Sequence, residues 1–132
     1  MITISLCMIV KNEQQTLSRC LESVRDVVDE IIIVDTGSTD GTKDVAKKYT
    51  DKIYDFKWID DFSSARNFSF SKASMDYCMW LDADDIISEK NKVKLLKLKN
   101  RLSTNQVDVI MLKYETGFDE NNNPNFFYYR ER

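Results

Sequence analysis

The sequence has no histidine. That removes the imidazole base of Ser-His-Asp and Cys-His catalysis and every histidine-ligated zinc site. A catalytic metal would have to rest on carboxylates, which favours hard ions such as Mg²⁺ or Mn²⁺. Cysteine is scarce: Cys7, Cys20 and Cys78 are widely spaced, odd in number and form no CxxC. They read as core thiols in a reducing compartment. Glycine occurs three times and proline once, so neither a glycine-rich phosphate loop of the GxGxxG or GxxxxGK[ST] type nor a proline-rich linker is present. No apolar run approaches membrane-spanning length, and Met1-Ile2-Thr3-Ile4-Ser5 lacks the cationic start of a signal peptide. The expected location is cytoplasmic.

What is there is core-forming material. The 132 residues are 42% hydrophobic and include 7 Phe, 6 Tyr and 2 Trp, enough for one compact domain over residues 1–132. The net charge of −3 argues against a nucleic-acid partner, which calls for a broad basic surface.

Short apolar runs alternate with amphipathic stretches. Residues 2–10 predict a buried strand, and Leu17, Cys20, Leu21 and Val24 recur at helical spacing. Residues 30–34 form a second apolar run ended by Asp35, and Thr39 or Asp40 could cap a helix to about Tyr49. A short strand at 52–55, a helix at 63–73 capped by Asp60-Asp61, and a strand at 76–81 follow. Ser88 opens a lysine-rich helix to about Leu102 with Val93, Leu95, Leu96, Leu98 and Leu102 on its apolar side. Residues 107–112 predict a further strand, 119–125 a polar turn, and 126–130 an outgoing strand. Helices separating buried strands imply βαβ units, hence an α/β fold with a mainly parallel sheet.

In such sheets ligands gather at the carboxyl ends of strands. Three of those ends are polar: Lys11-Asn12-Glu13, then Asp35-Thr36-Gly37-Ser38-Thr39-Asp40-Gly41, then Asp82-Ala83-Asp84-Asp85. Three carboxylates within four residues repel unless a cation neutralises them, and strand alternation would put Asp82 and Asp84 on one side. The same acids also suit a helix N-terminus.

Taken in order, Cys7-Met8-Ile9-Val10-Lys11-Asn12-Glu13, Ile33-Val34-Asp35-Thr36-Gly37-Ser38-Thr39-Asp40-Gly41-Thr42, Ala65-Arg66-Asn67 and Trp80-Leu81-Asp82-Ala83-Asp84-Asp85 resemble the family 2 glycosyltransferases, over roughly the first two-thirds of the chain. The resemblance implies a three-layer α/β/α GT-A fold, truncated at its C-terminus, a nucleotide-diphospho-sugar donor, and inverting transfer to a glycan, lipid or protein hydroxyl. It implies Val10 and Glu13 at the nucleoside, Asp35 at the base, Arg66 at the base or diphosphate, and Asp82-Ala83-Asp84 as a DXD motif. In that motif Asp84 and Asp82 would hold Mn²⁺ or Mg²⁺. The general base that inversion requires has no match: Glu115, Asp119 and Glu120 are nearby acids outside the family motif, which places the base beyond residue 132. The chain is then expected to be the donor-binding portion of a longer enzyme.

Two other functions compete: a non-catalytic nucleotide-sugar-binding module, and a phosphohydrolase with Asp82 as nucleophile. Lys90, Lys94, Lys97 and Arg101 fall on one helix stripe, read as a solvated face, with peripheral contact to an anionic membrane as the functional alternative. Trp58, Phe62 and Phe68 are expected in the core, and an apolar segment at 126–130 predicts self-association.

Overall fold

A computed structural model of the chain describes residues 1–103, 107–118, 120–121 and 124–127. They fall in two units, Met1–Leu102 and Ser103–Arg132.

The first unit runs β1 (Ile4–Val10), α1 (Leu17–Val24), β2 (Glu30–Asp35), α2 (Thr42–Lys47), β3 (Ile53–Asp55), α3 (Phe62–Ser71), β4 (Tyr77–Met79) and α4 (Glu89–Arg101). Its four strands are all parallel, in the order β3-β2-β1-β4. Side-chain alternation along β1 and β2 divides the core into two layers. Leu6, Met8, Val10 and Ile33 pack with Leu17, Cys20, Leu21, Val24 and Ala46, and with Leu95 and Leu96 of α4. Cys7, Ile32 and Val34 face the other way, against Phe68 and Phe70 of α3 and against Tyr54 and Phe56. The result is the expected α/β/α sandwich.

Each helix follows from its sequence. The i, i+3, i+4, i+7 series of α1 is wholly buried. Burying Leu17, Leu21 and Val24 stabilises the fold by about 1.5–3 kcal/mol each. Asp61 caps α3, its Oδ1 accepting from Ser64 N at 3.3 Å, and Ser88 caps α4 by accepting from Asn91 N at 3.3 Å. Lys99 and Arg101 in the last turn of α4 favour its dipole. For α2 the N-cap position is Gly41, while Asp40 Oδ1 accepts from Thr42 N at 3.0 Å.

The amino end of the sheet is held by buried charge. Glu30 accepts from Ser5 Oγ, Lys52 Nζ, Ser74 N and Ser74 Oγ. Lys99 reaches through to the Val27 carbonyl at 2.8 Å and pairs with Asp29, whose Oδ2 accepts from Ile4 N at 2.9 Å. These bonds leave the opposite, carboxyl end of the sheet to the polar loops.

Several expectations need correction. Val93 is 49% exposed, because at about 100° per residue it lies some 120° around the helix from buried Lys99. The cationic stripe of Lys90, Lys94, Lys97 and Arg101 is exposed, as expected. Cys7 and Cys20 are buried thiols, but Cys78 on β4 is exposed. Trp58 and Phe62 are exposed; Phe68 alone of those three aromatics packs inward.

In the second unit residues 107–112 form no strand. The β-structure lies later, in an antiparallel pair of β5 (Tyr114–Phe118) and β6 (Pro124–Phe127), with a register shift between Glu115 and Gly117. A strand needs a partner ladder, and β6 supplies it to 114–118. Asp119 and most of the predicted 126–130 strand, with the self-association assigned to it, lie outside the described residues.

Candidate functional site

The loops after β1 and β2 are laced together. Asn12 turns the chain with φ 52°, a left-handed conformation that asparagine tolerates better than most residues. Its N–H donates to Ser38 Oγ at 2.9 Å, and its Oδ1 accepts from Thr39 N at 2.8 Å. Glu13 N donates to Thr42 Oγ1 at 2.9 Å, and Gly41 N to Gln14 Oε1 at 2.9 Å. Thr36 donates both its N–H and its hydroxyl to the Val10 carbonyl. The Val10 side chain is in the core, so this residue presents only backbone to the site.

Asp35 ends β2 and is 1% exposed. Its Oδ1 accepts from Gly37 N at 2.9 Å and Ser38 N at 2.8 Å, a turn that Gly37 permits with φ 109°. Its Oδ2 is buried with no hydrogen-bond partner among the described residues. A buried acceptor left unmade costs about 1–3 kcal/mol, more for a charge, so this atom is suited to an N–H brought by a ligand.

After β4 the chain turns instead of extending. Asp85 N donates to the Asp82 carbonyl at 3.0 Å, and Asp85 Oδ2 accepts from Asp82 N at 3.0 Å. The carboxylates of Asp82, Asp84 and Asp85 therefore converge through a turn and not through strand alternation, with one ligand oxygen from each lying within 4.8 Å of the others. Since α4 begins at Glu89 under its Ser88 cap, the acids are not the N-terminal turn of that helix. The turn is pinned to α1 by Cys20 Sγ, which donates to the Asp82 carbonyl at 3.5 Å, and by Ile87 N, which donates to Ser23 Oγ at 3.1 Å. Burial first, and then the Asp85, Asp84 and Asp82 charges, push the Cys20 thiol up to about 12.

Arg66 reaches this cluster from α3. Its guanidinium lies 5.0 Å from the centre of the Phe62 ring, 5.8 Å from Phe70 and 5.2 Å from Trp80. Desolvation, and next the Asp85 charge, raise the Asp82 carboxyl above its ordinary range; Arg66 opposes that rise, while Asp84 and Glu13 add to it. The charges of Glu13, Arg66, Asp84 and Asp85 thus all bear on Asp82, whereas Asp35 holds its own corner and adds to the raised pKa of Lys43, which is bonded chiefly to Asp55. Asp85 was the ligand candidate that sequence spacing left out; adjacency to the DXD was its signal. The aromatic surround of Arg66 was visible only as Phe62 and Phe70 at four residues on either side.

The family model for glycosyl transferase family 2 matches residues 5–132. The chain belongs to this family. It is 38% identical over 114 residues to the SPbeta prophage-derived glycosyltransferase SunS of Bacillus subtilis, covering 85% of this chain and 27% of that protein. It is 48% identical over 85 residues to a TPR repeat-containing protein of Synechococcus elongatus, covering 64% and 21%. The chain thus spans about a quarter of the length of these relatives. Among solved structures, glucosyl-3-phosphoglycerate synthase from Mycobacterium tuberculosis in complex with UDP superimposes with a TM-score of 0.56 at 26% identity, over 64% of this chain and 35% of that one. The same enzyme has been crystallised with Mg²⁺ and UDP and with Mn²⁺ and UDP-glucose. S. aureus TarS shares the fold at 23% identity, with a TM-score of 0.58 over 74% of this chain and 31% of that one. The fold of this family 2 domain is GT-A, with its mainly parallel sheet.

Proposed function

We propose that residues 1–132 are one nucleotide-sugar-binding domain of an inverting glycosyltransferase, which holds a nucleotide-diphospho-sugar for transfer to a glycan, lipid or protein hydroxyl. The observation that carries this is the carboxyl end of the sheet. There a buried, half-satisfied Asp35 carboxylate ends β2, and a three-carboxylate turn beside Arg66 follows β4 of the same parallel sheet.

Each residue has a defined task in this reading. Asp35 Oδ2 accepts an N–H of the base. Glu13, fixed by its own Thr16 hydroxyl at 2.9 Å, faces the ribose, with the Val10 backbone beside it. Arg66 supplies N–H donors to the diphosphate. The Asp82, Asp84 and Asp85 oxygens form an all-carboxylate set that fits Mg²⁺ or Mn²⁺, with Asp84 and Asp82 as the principal ligands. Such an ion, when bound, neutralises charge on the nucleoside diphosphate as it leaves. The proton of the acceptor hydroxyl goes to a general base outside these residues. The net charge of −3 disfavours nucleic acid as a partner. Among the described residues no helix is long and apolar enough to cross a membrane.

Incubation with UDP-sugars and Mg²⁺, followed by ³¹P NMR, separates the competing chemistries. A transferase domain binds the intact donor and releases at most UDP. Release of inorganic phosphate or of a sugar phosphate would replace this reading by the phosphohydrolase with Asp82 as nucleophile.

A further inference from the structure

Arg66 stands among aromatic rings in a way that the donor-site reading does not by itself require. Phe62 and Phe70 are one turn before and one turn after it on α3, which puts all three on one helix face. Trp80 approaches from the segment that leads into the acid turn. The three ring centres lie 5.0–5.8 Å from the guanidinium carbon, within cation–π range. Phe62 and Trp80 remain 53% and 47% exposed, which is unusual for rings whose role is to fill a core.

We propose that Phe62, Phe70 and Trp80 are positioning residues that bracket the Arg66 guanidinium and aim its N–H groups at the diphosphate of a bound nucleoside diphosphate. The inference rests on the donor-site reading above and deepens it. A guanidinium over aromatic faces is held through its π surface, while its donors stay in plane for an anion. Without the rings the side chain would sample many rotamers, only some of which keep its charge beside the acid turn where a diphosphate would lie. Trp80 is two residues from Asp82, so the segment that carries the acids also carries one wall of the bracket. The rings thus fix where the positive charge stands relative to the negative cluster.

A double-mutant cycle tests this by isothermal titration with UDP, GDP, CDP and dTDP in Mn²⁺, using whichever binds most tightly. Trp80→Leu and Phe62→Leu should each weaken that affinity by about three- to tenfold, and Trp80→Phe should restore most of the Trp80→Leu loss. Arg66→Ala should weaken it by at least as much. Adding Trp80→Leu to Arg66→Ala should then change the affinity by less than about twofold, because the ring has no guanidinium left to hold. Both rings are half exposed, so these variants retain the core. The bracket is overturned if the Trp80→Leu loss persists in full on the Arg66→Ala background, which would mean direct contact with the nucleotide. It is equally overturned if neither ring variant weakens binding. If the unsubstituted protein binds none of the four nucleotides, the donor-site reading itself fails, and the bracket fails with it.

Discussion

Substituting Glu30→Gln should remove one defined part of the acid sensitivity of this fold. Glu30 opens β2 with its side chain 2% exposed, and burial alone would push its carboxyl up. Hydrogen bonds from Lys52, Ser5 and Ser74 outweigh that and hold it down, from an ordinary 4.5 to about 2. A carboxyl depressed in the folded state stabilises the protein fully above its unfolded value, and that contribution is lost as pH falls through the folded one. The window is therefore pH 4.5 down to about 2. The full shift corresponds to on the order of 3 kcal/mol, and screening at half-exposed Lys52 reduces this to roughly 2–3 kcal/mol. Urea unfolding, followed by far-UV circular dichroism at neutral pH and at steps through the window, reads it directly. The variant should be less stable at neutral pH and approach the parent protein at the acid end. Parallel declines of the two proteins would refute the reasoning.

Three further outcomes follow from particular residues. Asp35→Asn keeps the Oδ1 that closes the 35–38 turn but replaces a buried acceptor by a donor, so nucleotide affinity should fall by about tenfold or more with little change in melting temperature. Unaltered affinity would remove Asp35 from the site. Gly37→Ala meets no atom within 4 Å but must hold φ 109°, so equilibrium unfolding should show a loss of about 1–2 kcal/mol, due to the backbone alone. Burial, together with neighbouring thiol and carboxylate groups, raises Cys7 and Cys20 to about 12 while Cys78 is exposed, so a disulfide reagent at neutral pH should label one thiol in the native protein and all three after unfolding.

The layers of the fold were legible because periodicity reports burial. Leu17, Cys20, Leu21 and Val24 and the 30–34 run each had one reading, and the side chains of Asp61 and Ser88 have the acceptor chemistry that a helix N-terminus demands. The 107–112 run failed because apolar composition does not say which stretch finds a partner strand. Cys78 and Val93 failed because exposure at a sheet edge or a helix flank depends on what packs there. In the site, the three strand ends were readable from the charge that follows each apolar run. The Asn12–Ser38–Thr39 ties and the approach of Trp80 to Arg66 depend on contacts between segments distant in sequence. Local pattern carries no record of those.

The central claim is that the carboxyl end of this sheet binds a nucleoside diphosphate with a divalent cation. A thermal-shift panel of UDP, GDP, CDP and dTDP, each with Mn²⁺ or with EDTA, tests it most directly. A nucleotide at about 100 times its dissociation constant adds roughly 2.7 kcal/mol, which raises the melting temperature by about 10 °C in a domain of this size. The account predicts such a shift for at least one nucleotide in Mn²⁺, abolished by EDTA and by Asp84→Asn. No shift with any nucleotide, or a shift indifferent to both EDTA and Asp84→Asn, would contradict it.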